Sequence, residues 1–552
     1  MKQAVERLRR FLSEEEWTFA PHEVPAIPGS PGSPDHPLAR RFAYGAIAVL
    51  LGLTGGLGNA LIAGNTAALQ GALGLDPEQI AWLPTVYVMT NISINLLLIK
   101  FRQQFGLRPF AMIFLFIYAI LTFAHLFVLD FTSAIFVRAA SGMAGAALTT
   151  LGLYYMMQAL PAQWRLKALV IGIGIPQCTT PLAHLFSPEL LAMAQWRALY
   201  LFELGLALLS LACVALLRLP PTIRQKAFEP LDFVTFVLFA VSMALIAAVL
   251  GLGRIVWWTN AAWIGWALLA AIPLLAAALI LEHGRSNPLI NTRWLGSADI
   301  LRFSIVTIMA RIVLSEQNTA AVGLLTLFGQ NNDQLGLFFT IIFIASIAGV
   351  LVSAITLNLS KLTQPVILAI ELVALAAWID SGSTNLTRAP QLYVTQAVIA
   401  FSATLFFGPA LLFGMSRALT QGSGHVISFL ALFGIVNSLG GLGGAALLGS
   451  YQQMREKAHS TELVQTIDPT DPIVTQRIQL GAGAISRSVA DPALRQAEGG
   501  ALLSQATSRE ANVLAYNDVF QLIALLSAAT FAYLLFIFLR RRLRERRMER
   551  AA

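Results

Sequence analysis

The sequence predicts an all-α polytopic membrane protein with fourteen transmembrane helices. Three observations carry that expectation. Apolar residues make up 57% of the 552-residue chain and Asp, Glu, Lys and Arg only 12%. A soluble chain carries about 25% charged residues, so too few remain here to cover a water-facing surface, and the mean hydropathy is +0.69. The apolar residues gather into fourteen runs, most near 20 residues. At about 1.5 Å per residue such a run crosses a hydrocarbon core of about 30 Å. Finally, basic residues collect in alternate connections, as an oriented membrane protein requires.

Residues 1–42 are polar, with an acidic run at Glu14, Glu15 and Glu16 and prolines at 25, 28, 31, 34 and 37. This composition predicts a flexible tail. The apolar runs follow at 43–64, 80–99, 109–129, 132–156, 168–187, 196–217, 231–252 and 262–281, then at 300–329, 335–357, 364–380, 391–415, 425–449 and 514–539. Backbone groups inside lipid must be satisfied within each run, so each is expected to be a helix. The ninth run is long enough to be tilted or broken.

Loop charge tests the count. With the N-terminus inside, the inside connections hold Lys100, Arg102, Arg108, Arg165, Lys167, Arg218, Arg224, Lys226, Arg285, Arg293, Lys361 and Arg417, and the C-terminal tail adds Arg540 to Arg542 and more. The short outside loops hold only Arg197, Arg254 and Arg388. That bias requires an even number of spans with both termini cytoplasmic. The polar stretch 450–513 falls outside as a long loop, and its Ala-, Gln- and Glu-rich part at 493–513 is compatible with helical turns.

Other classes are excluded by composition. Two cysteines, Cys178 and Cys213, cannot build a disulfide framework, and both sit in apolar runs. The net charge of +8 lies beside apolar segments and at the chain ends, which fits membrane orientation rather than nucleic acid. There is no Cys/His metal pattern, no GxxxxGK[ST] phosphate loop and no spaced Ser/His/Asp set, so no metal, cofactor or enzymatic activity is expected.

Charges inside the apolar runs are the sharper signal. Arg138 lies in the fourth run, Glu203 in the sixth, Arg311 and Glu316 in the ninth, and Glu371 in the eleventh. A charge in lipid costs several kcal/mol and must face protein or a watery cavity. Burial favours the neutral form of a carboxyl group, which makes buried carboxyls candidates for proton uptake and release. Arg311 and Glu316 are five residues apart, about 140° around a helix, and so are poor partners for each other. Gly52 and Gly56 in the first run, and Gly440 and Gly444 in the thirteenth, have the spacing that lets helices approach closely. Pro176 and Pro181 bend the fifth run and make it a candidate gate, as Pro409 does for the twelfth. Tyr154, Met157, Phe406 and Phe407 are candidates for lining a permissive cavity.

Several local motifs resemble the major facilitator superfamily, and more narrowly its fourteen-helix drug:proton antiporters. The connection Ile99 to Arg108 is similar to the superfamily's G-x-L-A-D-R-x-G-R-R, with Gly106 and Arg108 matching, Ile99 at the opening glycine and Gln103 at the Asp. In R-x-x-Q-G-x-G of the fourth helix, Arg138, Gly142 and Ala144 fit and Ser141 replaces Gln. The fifth helix keeps Pro176 of the antiporter motif but not its flanking glycines. Gln195 to Phe202, Asp232, and Tyr516-Asn517-Asp518-Val519-Phe520 are also similar to family patterns. With Asn59 at the asparagine of the first-helix pattern, Thr54 stands where drug exporters carry an Asp.

The resemblance implies two six-helix bundles, 43–218 and 300–539, joined by two extra helices at 231–281, with a basic tail at 540–552. It implies a secondary active transporter exporting amphipathic or aromatic small molecules by proton antiport with alternating access. Proton coupling would then fall to Glu203, Glu316, Arg138, Arg311 and Glu371, and gating to Gly106, Arg108, Pro176 and Pro181. It further implies a multi-pass protein of the bacterial inner membrane, partnered by a periplasmic adaptor and an outer-membrane channel. The missing first-helix Asp leaves a second reading, import or facilitated exchange of a specific metabolite or organic anion. A non-transporting scaffold is the remote third.

Overall fold

In the computed structural model, residues 19–551 are described apart from 21, 22, 26 and 469. Thirteen helices among them are long and apolar enough to cross a membrane. They are α1 (Leu38–Ala63), α2 (Pro77–Phe105), α3 (Leu107–Phe127), α4 (Phe131–Ala159), α5 (Ala162–Met193), α6 (Trp196–Leu216), α7 (Pro230–Val256) and α8 (Ala262–His283), then α10 (Gly336–Ile355), α11 (Thr363–Asp380), α12 (Ala389–Leu419), α13 (Ser423–Thr466) and α14 (Pro492–Ala551). The ninth apolar run makes the fourteenth crossing, α9, in two pieces: Ala298–Val313 and Val322–Leu327, joined through a π-helical turn at Gln317–Ala321.

The break in α9 has a local cause. The Ser315 hydroxyl donates back to the Arg311 carbonyl at 2.8 Å, competing with the helical ladder. Gly440 and Gly444 of α13 press against Arg311 and Ser315 at the same place, where a β-carbon on either glycine would collide. The glycine pair of α1 acts likewise: Gly52 meets Ile175 and Gly56 meets Thr179, on either side of the tight turn Ile175–Cys178 that Pro176 imposes on α5. Pro181 sits in the first turn after that break, where its missing N–H costs least.

The helices form two bundles. In the first, α4 packs on α1 and α2, and α3 packs on α6; in the second, α12 packs on α10 and α11, and α14 on α11 and α13. Helices α7 and α8 pair with each other, and α7 leans on α2 and α13. The bundles meet along α5, where Gly174 faces Val350 of α10 and Gly408 of α12 faces Val170.

Both described ends lie at one face, hereafter the terminal face. At the opposite face the expected loop 450–513 is instead a helical hairpin. Helix α13 runs for 44 residues and α14 for 60, about 66 and 90 Å, far more than a bilayer needs. Between them the short helix Pro472–Ala484 folds back on α14, with Gly481 against Gly499. Arg455 and His459 bind Asp518 at 2.5 and 2.6 Å, and Trp258 donates to Ser450 at 2.8 Å. Ala and Gln propagate a helix as well as apolar residues do, so hydropathy stops where the helix does not.

The proline-rich segment also departs from the expected free tail. From 27 to 37 it lies across the terminal face of the first bundle. The Gly29 N–H donates to Thr222 Oγ1 at 3.0 Å, the Gly32 N–H to the Pro221 carbonyl at 3.0 Å, and Arg165 to the Ser33 carbonyl at 2.6 Å. Local turns satisfy some of its backbone groups, Ser30 N–H to the Ile27 carbonyl and Ser33 N–H to the Glu23 carbonyl, and the first bundle satisfies others. The acidic run Glu14 to Glu16 lies outside the described residues.

Candidate functional site

Two polar clusters are buried in the halves of the bundles nearest the hairpin face, one in each bundle. In the first, Arg138 of α4 is 0% exposed. Its guanidinium donates to the Gly58 carbonyl at 2.8 Å, to Asn59 Oδ1 at 2.7 Å and to the Leu83 carbonyl at 3.4 Å, and lies 4.6 Å over the Tyr87 ring. Glu203 of α6 is 1% exposed and accepts a hydrogen bond from the Tyr118 hydroxyl of α3 at 2.6 Å. Its other oxygen, Oε2, has no partner. Gly58 separates the two charges: its carbonyl holds Arg138, and a β-carbon there would strike the Tyr118 hydroxyl and lie 2.9 Å from Glu203 Oε1.

The second cluster joins α9, α11 and α12. Glu316, 0% exposed, sits at the α9 break, and Asp380 ends α11. The Gln396 amide donates to Glu316 Oε1 at 3.0 Å and to Asp380 Oδ2 at 2.9 Å, so one NH2 group bridges two carboxyls. Glu316 Oε2 is also unpartnered. Gln317 donates to the Gln396 carbonyl at 3.1 Å and fixes that helix against the π-turn. Among the described residues no ion pair reaches Glu203, Glu316 or Asp380. Each bundle therefore offers a buried oxygen on which a proton can be placed.

The two bundles are latched at the hairpin face. His184 of α5 stacks on Phe339 of α10 at 4.1 Å and donates to Asn332 at 2.9 Å, while Asn332 donates to the Gly64 carbonyl at 3.4 Å.

At the terminal face Gly106 alone joins α2 to α3, with φ 90° and ψ 175°, a backbone shape that suits glycine. Arg108 reaches the last carbonyls of α6, Val214 at 3.0 Å and Ala215 at 3.4 Å, where a cation complements the helix dipole. Gln103, at the position of the motif's Asp, donates to the Pro28 carbonyl at 3.5 Å, so it serves the proline-rich strap. Lys100 instead makes the charged contact: it binds Asp232 of α7 at 2.7 Å, and Arg285 joins Asp232 at 2.6 Å, Glu229 at 2.8 Å and Glu282 at 2.7 Å. Hydrogen bonds from Arg285 and Asn287 hold the Glu229 carboxyl below the usual carboxylate range.

Other expected site residues are not brought together. Glu371 is exposed on the outer surface of α11, away from both clusters. Helix α11 is apolar around most of its circumference, so the sequence could not tell which face carries the charge. Arg311 is separated from Glu316; it lies 5.2 Å over Phe407 and donates to the Asn437 carbonyl at 3.3 Å. Phe406 lines a cavity within the second bundle, whereas Tyr154 sits 5.2 Å from Arg102 at the terminal end of α4, with Met157 three residues further on. Sequence reasoning missed Asp380, Gln396, Tyr118 and Gly58. Asp380 ends its apolar run and reads as a boundary residue; the other three carry no charge.

Comparison with known proteins supports the architecture. No family model matches the chain. The major facilitator superfamily multidrug transporter mfsC of Aspergillus fumigatus is 28% identical over 232 residues, 41% of this chain and 43% of that protein. The chain thus matches less than half the length of this curated relative. Among solved structures, a bacterial homologue of the human drug peptide transporters PepT1 and PepT2 superposes with a TM-score of 0.53 at 12% identity, over 91% of this chain and 99% of that one. The human organic anion transporter MFSD10 (TETRAN) gives 0.50 at 15% identity, over 89% and 100%. These relatives are transporters rather than enzymes. The two-bundle fold of this chain is that of the major facilitator superfamily.

Proposed function

We propose that the chain is a secondary active transporter that exports amphipathic or aromatic small molecules by proton antiport with alternating access. One observation carries this reading: each bundle holds a fully buried glutamate, Glu203 or Glu316, with one oxygen hydrogen-bonded and the other unpartnered. A static core has no use for such an oxygen. A carrier that takes up and releases a proton does. Tyr118 and Gln396 each leave a proton site on the carboxyl they contact, and Arg138 supplies a fixed positive charge near the first. The bent α5, lying between the bundles and latched by His184, is the element that would move.

In this reading the protein spans a bacterial inner membrane with both termini cytoplasmic. The helical hairpin then projects into the periplasm, where an adaptor leading to an outer-membrane channel would dock.

The test uses purified protein in proteoliposomes with a pH-sensitive dye inside. After a proton gradient is imposed, a panel of amphipathic drugs and aromatic acids is added. Substrate-triggered collapse of the gradient is expected, and it should be lost in E203Q. Flux of labelled solute without proton movement would overturn antiport.

The second reading, facilitated exchange or import of an organic anion, is favoured by Thr54. Its hydroxyl pairs with Ser210 at 3.2 Å, so the first helix presents no carboxyl. The direction of flux in oriented vesicles separates the two.

A further inference from the structure

The second bundle contains a cavity of about 600 Å³ that belongs to neither polar cluster. It opens at the terminal face, where α9, α11, α12 and α14 separate. Its volume falls in the range of small-molecule sites, roughly 300–1,000 Å³. The chemistry of the lining is divided. Arg302 of α9, Arg417 of α12 and Arg540 of α14 stand toward the terminal ends of their helices, with Asp299 the one carboxylate among the described lining residues. Deeper in, Phe303, Phe406 and Phe413 supply an aromatic wall.

We propose that this cavity binds an amphipathic anion, its head held by Arg302 and Arg540 and its apolar body lying against Phe303, Phe406 and Phe413. The argument is one of charge and shape. Arg302 reaches Asp299 only at 3.8 Å, with both side chains more than half exposed, so that pair neutralises little of the rim. Arg417 lies 4.0 Å over the Phe413 ring and so packs against the aromatic wall. Guanidinium forks match carboxylate, sulfonate and phosphate oxygens in pairs. The wall below offers those heads no partner but suits an acyl chain or a fused ring. Tyr533 and Phe536 of α14, 43% and 61% exposed, continue the lining onto the outer surface of the bundle, so a ligand can enter from the bilayer as well as from water.

The shared chemistry has two sources, an anionic phospholipid or a soluble aryl anion, and the experiment separates them. Purified protein is assayed by native mass spectrometry with phosphatidylglycerol against phosphatidylcholine, and by calorimetry with naphthalene-2-sulfonate. The variants are R302Q/R540Q, which removes rim charge, and A410W, which fills the cavity from α12 with an uncharged ring. Size-exclusion profile and thermal midpoint confirm that each is folded. Preferential retention of phosphatidylglycerol, weakened at least about tenfold in both variants, supports the proposal with a lipid source. Saturable sulfonate binding lost in both variants supports it with a soluble source. Binding of neither probe overturns it. So does loss in the arginine variant with A410W unaffected, because the anion would then sit on the surface and not in the cavity. The readout is equilibrium binding, so failure of the antiport reading leaves this test intact.

Discussion

The Arg138 guanidinium donates to the carbonyl oxygen of Gly58 at 2.8 Å. The same glycine, through its missing β-carbon, leaves room for the Tyr118 hydroxyl and Glu203. A positive and an acidic group from α4 and α6 are thus spaced by the bare backbone of α1. A carbonyl in mid-helix is already used by the helical ladder, so it accepts a second bond from Arg138 through its remaining lone pair. The distance between the two side chains is therefore set by backbone rather than by flexible side chains.

G58A is expected to disturb this spacing directly. The added methyl meets the Tyr118 hydroxyl and comes within 2.9 Å of Glu203 Oε1. Overpacking of this kind costs about 1–3 kcal/mol. The thermal midpoint in detergent should fall, and substrate-driven proton flux should fall further than stability alone explains. Wild-type behaviour on both counts would show that α1 can shift without consequence.

E203Q and E316Q should separate proton binding from structure. A glutamine oxygen still accepts from Tyr118 in the first cluster and from Gln396 in the second. Folding should therefore be close to wild type, while proton-coupled flux should drop at least about tenfold, or about 1.4 kcal/mol on the barrier. D380N probes the bridge from its other side, since Gln396 also donates to Asp380 at 2.9 Å. Unchanged coupling in all three variants would make both clusters structural.

The ion network at the terminal face predicts a stability difference between neighbours. Asp232 is fully buried and faces both Lys100 and Arg285, whereas the Glu229 side chain is 43% exposed. Removing one partner of a buried pair costs about 3–5 kcal/mol, because an uncompensated charge remains. D232N should therefore unfold far below wild type. E229Q removes a partner that stands in solvent, leaves Arg285 paired with Asp232 and Glu282, and should shift little. Similar thermal midpoints for the two variants would contradict the burial argument.

The sequence makes the crossings legible because lipid demands length and apolarity, which composition records directly. Arg138, Glu203 and Glu316 are legible for the converse reason, as charges inside apolar runs. Glu371 satisfied the same rule and yet lies on the outer surface, because periodicity in α11 does not distinguish lipid from protein. Gln396 escaped notice as a neutral amide, although its two hydrogens organise the acidic pair. Helical turns are legible at 493–513, but the continuous hairpin is not, because hydropathy measures solvent and a helix of Ala, Gln and Glu continues in water. The strap escaped because a proline- and glycine-rich composition shows only that no regular helix or strand forms, and the groups it docks on, such as Gln158 and Arg165, lie more than a hundred residues away.

That strap should dock in a pH-dependent way. His36 is 9% exposed and donates to Gln158 Oε1 at 3.1 Å, while Gln158 returns a bond to the Gly32 carbonyl at 2.9 Å. Burial lowers the His36 pKa from its ordinary value of 6.5; the Gln158 bond raises it in part, Arg40 and Arg41 lower it further, and Asp35 opposes them. The docked strap thus prefers neutral His36. Its docking stability is fully present above pH 6.5, and is lost as pH falls from there through the lowered value of the docked state. Amide exchange at Gly29 and Gly32, corrected for the intrinsic pH effect, should accelerate between pH 7.5 and 5.5. H36Q cannot be protonated in this range and should remove the acceleration. Equal protection at both pH values in the wild-type protein would show that His36 does not govern the strap.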